Sequence, residues 1–139
     1  MKLLDEMVQP LRVVILGGGF AGLECARTLK DRRFAVTLVD RENHHLFQPL
    51  LYQVATAGLS APEIAQPIRM LVRDQENTAV LMDEAIGIDL VTKQVTLKKQ
   101  ILPYDYLVLA MGVRTSYLEA GFEKSRRCHA HPLAGVAGI

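Results

Sequence analysis

The chain has 139 residues, half of them hydrophobic, which is enough to bury a core and fits a single domain. Its 16 basic and 15 acidic residues nearly cancel, which excludes the cationic excess that nucleic-acid binding requires. Two widely separated cysteines, Cys25 and Cys128, exclude a disulfide framework, a zinc ribbon and a dithiol centre, and suit a reducing cytosol.

The N-terminal residues carry acids early and no adequate apolar stretch, so we expect no secretory signal there. An apolar run over residues 11–16 then predicts a strand buried on both faces. Residues 20–31 have an apolar stripe and a basic end and predict a helix. Within it, Cys25 is interpreted as a small buried or half-buried side chain, since no partner for a nucleophile is spaced near it. A second apolar strand over residues 35–39 closes on Asp40.

The turn between the first strand and the helix reads Gly-x-Gly-x-x-Gly. Gly17 is expected to let the chain turn sharply, Gly19 to let backbone approach a pyrophosphate, and Gly22 to let helix and strand pack closely. The phosphates would lie at the helix N-terminus, and Asp40, 18 residues after Gly22, would accept hydrogen bonds from an adenosine ribose. This arrangement predicts a dinucleotide-binding unit; the alternative is a purely structural glycine turn.

The next segment begins as a loop over residues 41–50 and leads into a short helix that ends at Gly58. Ser60 and Glu63 have the form of a capping box and predict a helix to about Arg73. Residues 46–62 carry no charge, but they are too short and too interrupted to span a bilayer. They are better explained by packing under an apolar ligand or beside another domain.

The pattern then changes to short strands, which predict a small antiparallel meander and a further strand of the parallel sheet. The predicted strands are residues 79–82, 85–89, 94–98 and 107–110, with a turn at 91–93. Residues 116–139 lose periodicity, so a solvated tail is expected. A metal site from Cys128, His129 and His131 is disfavoured because adjacent ligands lack a second pair elsewhere. We therefore divide the chain into an extension (1–10), a nucleotide-binding domain (11–117) and a tail (118–139).

At residues 41–59 the chain resembles a known family. The string Asn-His-His-Leu-Phe-Gln-Pro-Leu-Leu-Tyr from Asn43, with the glycine fingerprint and Tyr-Asp-Tyr-Leu-Val-Leu-Ala at 104–110, is similar to the type II NADH:quinone oxidoreductases. These are single-subunit flavoproteins of the membrane surface, and the resemblance covers about residues 11–117. It implies a Rossmann-like FAD/NAD(P)-binding fold, with NADH and a quinone as partners, and leaves a homodimer open. It also implies a cytoplasmic protein, or one bound peripherally to the cytoplasmic face of the inner membrane.

The resemblance implies that the first fingerprint holds FAD and not NAD. Asp40 would then lie on the adenosine ribose, and Pro49 and Leu50 near the isoalloxazine ring. His44 and His45 are interpreted as surface polar groups, because no carboxylate partner can be named for a general base. The full set of expected cofactor-binding residues is Gly17, Gly19, Phe20, Ala21, Gly22, Asp40, Arg41, Pro49, Leu50, Ala110 and Gly112, with no catalytic side chain and no metal.

The chain departs from the family pattern in two ways. Met111 stands between Ala110 and Gly112 where the family usually has threonine, which replaces a small hydroxyl with a long thioether. Family members also continue for several hundred residues with a second glycine fingerprint for NADH, whereas the likeness here fades after about Tyr117. We therefore expect a truncated or frame-shifted product.

The favoured interpretation is the FAD-binding part of an NADH dehydrogenase-like oxidoreductase. No C-x-x-x-x-C pair is present, which excludes the dithiol relay of related disulfide reductases. Two alternatives stay open: a non-catalytic module that binds FAD or NAD(P), and an inert remnant that does not fold. Arg41 beside Asp40 leaves NADP open as a ligand, although Asp40 would repel its 2′-phosphate.

Overall fold

The computed structural model describes residues 9–113, which form nine strands and four short α-helices. The strands are β1 Leu11–Leu16, β2 Phe34–Asp40, β3 His44–Leu46, β4 Ala65–Pro67, β5 Thr78–Met82, β6 Ala85–Asp89, β7 Gln94–Leu97, β8 Ile101–Pro103 and β9 Tyr106–Leu109. The helices are α1 Phe20–Thr28, α2 Leu51–Ala55, α3 Ala61–Ile64 and α4 Ile68–Leu71, with a 3₁₀ turn at Gln48–Leu50.

A four-stranded parallel sheet has the order β5-β2-β1-β9. In the register, Leu16 lies opposite Val39 of β2 and opposite Leu109 of β9. The chain leaves β1 towards β2 on one side and reaches β9 on the other, so strand order reverses at β1. Ligands of open α/β sheets bind at the carboxyl ends of the strands at such a reversal. The end of β1 is therefore where a site is expected.

Both faces of the parallel sheet are buried. On one face Val13, Ile15, Val36 and Leu38 pack with Ala26 of α1 and with Ile68. The other face is covered by the antiparallel sheet β6-β7-β8, and the residues that pack there are Val14, Leu16, Val39, Val95, Leu97 and Tyr104. This two-sided burial explains the unbroken apolar run of β1. The predicted α/β fold, a Rossmann-like doubly wound sheet with a small antiparallel meander, is confirmed.

Helix α1 ends at Thr28, so the prediction that it reaches residue 31 is wrong. The side-chain amide of Asn77 donates hydrogen bonds to the carbonyl oxygens of Leu29 at 2.7 Å, Asp31 at 3.0 Å and Phe34 at 3.1 Å. These bonds hold the segment between α1 and β2 in a non-helical conformation and satisfy carbonyl groups that have no partner in the helix. Cys25 is half-buried against the sheet core, as predicted.

The predicted helix over residues 60–73 is also wrong. Helix α3 has four residues, β4 follows, and α4 begins at Ile68. Pro67 explains the break, because proline has no N–H to donate and forces the preceding residue out of helical geometry. The capping interaction itself is present, since the Glu63 carboxylate accepts the backbone N–H of Ser60 at 2.6 Å. That bond lowers the pKa of Glu63.

Several strand and loop boundaries differ slightly from the sequence predictions. The strand expected from 79 begins at Thr78, the one expected to 98 ends at Leu97, and the last occupies Tyr106–Leu109. The segment over 41–50, expected to be a loop, contains β3 and the 3₁₀ turn. Strand β8 is an element that the sequence does not predict. The turn at 91–93 is confirmed: Asp89 accepts the N–H groups of Val91 and Thr92, which lowers its pKa.

The described residues divide into two units: residues 9–45 with 66–112, and residues 46–65 with 113. The described part of the second unit contains the 3₁₀ turn, α2 and α3. Its uncharged stretch is therefore broken into short pieces, in agreement with the sequence.

Within residues 9–113, no helix has the length and apolar character to cross a membrane. The predicted tail, with Cys128, His129 and His131, lies outside the described residues.

Candidate nucleotide-binding site

The turn after β1 requires glycine at two positions for reasons within the protein. Gly17 has a φ of +108°, which side chains rarely adopt, and a Cβ there would meet the carbonyl group of Ala110. A Cβ on Gly22 would meet the carbonyl oxygen of Gly17. The backbone of α1 thus packs directly on the end of β1, and Ala110 packs on the turn.

Gly18 is also packed against protein. A Cβ there would meet the Cδ1 atom of Ile68 and would lie 3.2 Å from Oδ2 of Asp40. Ile68 is fully buried, and its backbone N–H donates to the carbonyl of Asn43 at 3.2 Å. Ile68, at the start of α4, therefore packs against the glycine turn. The sequence does not predict this contact.

Gly19 differs from its neighbours. Apart from Gly19 itself and its two chain neighbours, no atom of residues 9–113 lies within 4 Å of the position its Cβ would take. Its φ of −71° is an ordinary helical or extended value that needs no glycine. Nothing in the described protein requires glycine here. Gly19 caps the N-terminus of α1, where no side chain caps the helix and no acidic residue occupies the first turn. The space beside this positive helix end is therefore open to an anion.

Asp40 is held by the backbone at the carboxyl end of β2. Its Oδ2 atom accepts the N–H of Gly18 at 2.5 Å, and its Oδ1 atom accepts the N–H of Glu42 at 2.8 Å. The carboxylate thus lies beside the glycine turn in a fixed orientation. Each oxygen keeps a lone pair for a further donor such as a ribose hydroxyl.

His45 also reaches the glycine turn, which contradicts its interpretation as a surface polar group. Its Nδ1 atom lies 3.1 Å from the carbonyl oxygen of Gly18, and its ring meets Phe20 edge to face with centroids 4.8 Å apart. His44 instead places Nε2 3.2 Å from the Glu42 carboxylate, so it has the carboxylate neighbour that the sequence could not name. Two adjacent histidines therefore have different surroundings.

The end of β9 completes the described site. The N–H of Ala110 donates to the carbonyl of Leu16 at 2.8 Å, which continues the pairing of β9 with β1. Met111 is 64% exposed, and Gly112 has a φ of +67° with open space around its Cβ position. The long thioether that replaces the usual threonine therefore lies at the surface of the described protein.

The remaining predicted residues have differing environments. Ala21 is exposed on the first turn of α1. Arg41 lies 3.9 Å from Glu84, which also pairs with Lys98 at 2.6 Å. Pro49 and Leu50 lie in the second unit, where Pro49 is exposed and Leu50 half-buried. Their role beside an isoalloxazine ring stays a prediction.

Within residues 9–113, no cluster of three or more histidine, cysteine or acidic side chains could hold a metal.

Comparison with known proteins identifies the family. A family model described as pyridine nucleotide-disulphide oxidoreductase matches residues 11–132. The chain belongs to this family. It is 46% identical over 110 residues to the type II NADH:quinone oxidoreductase NdhA of Mycobacterium tuberculosis. The predicted resemblance is thus confirmed.

That alignment covers 76% of this chain and 23% of the relative, so the chain spans about a quarter of the length of the curated relatives it matches. The structure is similar to that of NDH2 from Plasmodium falciparum, with a TM-score of 0.72 and 24% identity over 78% of this chain and 24% of that one. It is also similar to the sulfide:quinone oxidoreductase of Aquifex aeolicus, with a TM-score of 0.72, 26% identity and coverage of 77% and 25%.

Proposed function

We propose that the chain is the FAD-binding part of an oxidoreductase that carries electrons from NADH through FAD to a quinone. The open space at Gly19 is the observation that carries this proposal. Gly17, Gly18 and Gly22 are explained by packing within the protein, whereas the missing side chain of Gly19 only leaves room beside the helix N-terminus. A pyrophosphate is the group that such a space accommodates.

In this proposal the N-terminus of α1, from Gly19 to Ala21, holds the pyrophosphate of FAD. Asp40 accepts hydrogen bonds from the adenosine ribose, with its orientation fixed by the N–H groups of Gly18 and Glu42. The chemistry that FAD supplies when bound is acceptance of a hydride from NADH and transfer of two electrons to a quinone. The residues of this chain bind and orient the cofactor and provide no nucleophile.

The resemblance to type II enzymes supports the finer parts of the proposal. These are FAD rather than NAD in the first fingerprint, and Pro49 and Leu50 beside the isoalloxazine ring. A working place in the cytoplasm, or peripherally on the cytoplasmic face of the inner membrane, follows from the same resemblance. So does a domain that extends over residues 11–117.

The proposal is tested by a Gly19→Val variant with Gly87→Val as its matched control. Valine at 19 places its side chain in the space assigned to pyrophosphate, so we expect loss of FAD binding with secondary structure kept. Gly87 lies in β6, and a Cβ there makes ordinary contacts of 3.8 Å and 3.9 Å with Thr96. Fluorescence titration with FAD measures both variants. Unchanged FAD stoichiometry in Gly19→Val would contradict the proposal.

A second candidate is a module that binds FAD or NAD(P) without turnover. The sequence carries one Gly-x-Gly-x-x-Gly pattern, at residues 17–22, and this observation favours binding over catalysis for the chain tested alone. Flavin absorbance in the purified protein favours FAD as the ligand. Binding of NAD(P) to a colourless, folded protein favours the module.

A further inference from the structure

Both peptide groups that flank Gly18 are held by side chains from later in the chain. The N–H of Gly18 donates to Asp40, and its carbonyl oxygen lies 3.1 Å from Nδ1 of His45. A carbonyl oxygen can only accept, so Nδ1 of His45 carries the proton and donates it. Asp40 and His45 thus fix the middle of the glycine turn from two sides.

The bond from His45 has a consequence for the next residue. The described residues contain no cis peptide bond, so the carbonyl of Gly18 and the N–H of Gly19 belong to one trans peptide plane and point in opposite directions. Because the carbonyl is turned to His45, the Gly19 N–H points away from His45. No acceptor for this N–H is found among residues 9–113. It is therefore available to a ligand.

We infer that His45 is a positioning residue that aims the Gly19 N–H at the pyrophosphate of the bound nucleotide. The inference rests on the proposed function and adds a residue outside the glycine fingerprint and its acid. His45 is half-buried, and its edge-to-face contact with the half-exposed ring of Phe20 holds the imidazole in place. Without the bond, the Gly18–Gly19 peptide is free to rotate, and the donor is no longer fixed before the ligand arrives.

The test compares three variants of the protein. His45→Phe keeps a ring beside Phe20 but removes the donor, whereas His45→Asn keeps an amide N–H near the position of Nδ1. His44→Phe is the matched control, because His44 contacts Glu42 rather than the turn. We expect the Kd for FAD to rise about tenfold in His45→Phe and to stay near the wild-type value in His45→Asn and His44→Phe. The melting temperature is measured for each variant alongside.

Ligand choice separates positioning from a general structural role. ADP carries the pyrophosphate, so its Kd should rise in His45→Phe by the same factor as that for FAD. Adenosine lacks it, and its Kd should not change. Equal weakening of adenosine, equal weakening in His45→Asn, or an unchanged Kd in His45→Phe overturns the inference while the proposed function stands. Failure of the wild-type protein to bind FAD overturns the proposed function and this inference with it.

Discussion

The Asp40 carboxylate accepts the backbone N–H of Gly18 at 2.5 Å, so the acid at the end of β2 is joined to the turn at the end of β1. The second oxygen of Asp40 accepts the N–H of Glu42. Asp40 therefore has two tasks in this protein: it stabilises the glycine turn, and in the proposed function it receives the ribose. A substitution at Asp40 affects folding and binding together.

We predict that Asp40→Ala weakens FAD binding by about 1–3 kcal/mol, because charged hydrogen bonds from the ligand are lost. Asp40→Asn should be nearly as damaging. An asparagine amide has one acceptor oxygen for two backbone N–H groups, and its NH₂ group would face a donor. Titration with FAD and thermal unfolding measure the two effects. The control is Asp74→Asn, whose side chain is 91% exposed. Wild-type affinity in Asp40→Ala would show that Asp40 does not bind the ribose.

The glycines of the turn should separate into structural and ligand-binding positions. Gly22→Ala puts a Cβ against the carbonyl of Gly17 and should destabilise the fold by about 1–3 kcal/mol. Gly19→Ala meets no atom of the described protein and should leave the unfolding temperature unchanged. Thermal unfolding without ligand compares them. Equal destabilisation by both would refute the view that Gly19 serves only the ligand.

The ion pair between Arg12 and Asp105 predicts a pH dependence. The guanidinium of Arg12 donates to the Asp105 carboxylate at 2.9 Å and lowers the pKa of Asp105 to about 2. Since this pKa lies below the value of roughly 3.9 in an unfolded chain, ionised Asp105 stabilises the fold above that pH. The contribution disappears as the pH falls towards 2.

Denaturant unfolding between pH 5 and pH 2 tests this dependence. Wild-type stability should fall more steeply than that of Asp105→Asn. Asp31→Asn is the control: Arg33 lowers the pKa of Asp31 from two residues away, a contact that an unfolded chain can keep. Parallel curves for the wild type and Asp105→Asn would contradict the assignment.

The chain tested alone should not oxidise NADH with a quinone at a rate above that of free FAD. Its sequence has one glycine fingerprint, so no second site of this kind orients NADH against the flavin. Orientation accounts for roughly 7–11 kcal/mol of barrier in favourable cases. Steady-state NADH consumption with a soluble quinone decides this, with the same concentration of free FAD as control. Saturable turnover well above that control would contradict the prediction.

Local sequence patterns predict the elements that build the candidate site. Strand β1 was predicted with the bounds Leu11–Leu16 because an unbroken apolar run that ends at glycines is typical of a buried parallel strand. The position of Asp40 at the end of the second strand is likewise predicted from its distance to the glycine fingerprint. The contact of His45 with Gly18 could not be predicted, because it joins residues 27 apart and leaves no periodic signal. The packing of Ile68 under Gly18 is likewise tertiary. Pro67 predicts a break before α4, but the helical spacing of the apolar residues around it favoured one continuous helix.

The absorbance spectrum of the purified protein tests the central claim most directly. If the glycine turn, the helix N-terminus and Asp40 form a flavin site, the folded protein titrated with FAD should retain the cofactor after gel filtration. It should then show flavin absorbance at near one equivalent per chain. A folded protein that emerges colourless after the same treatment would contradict the account.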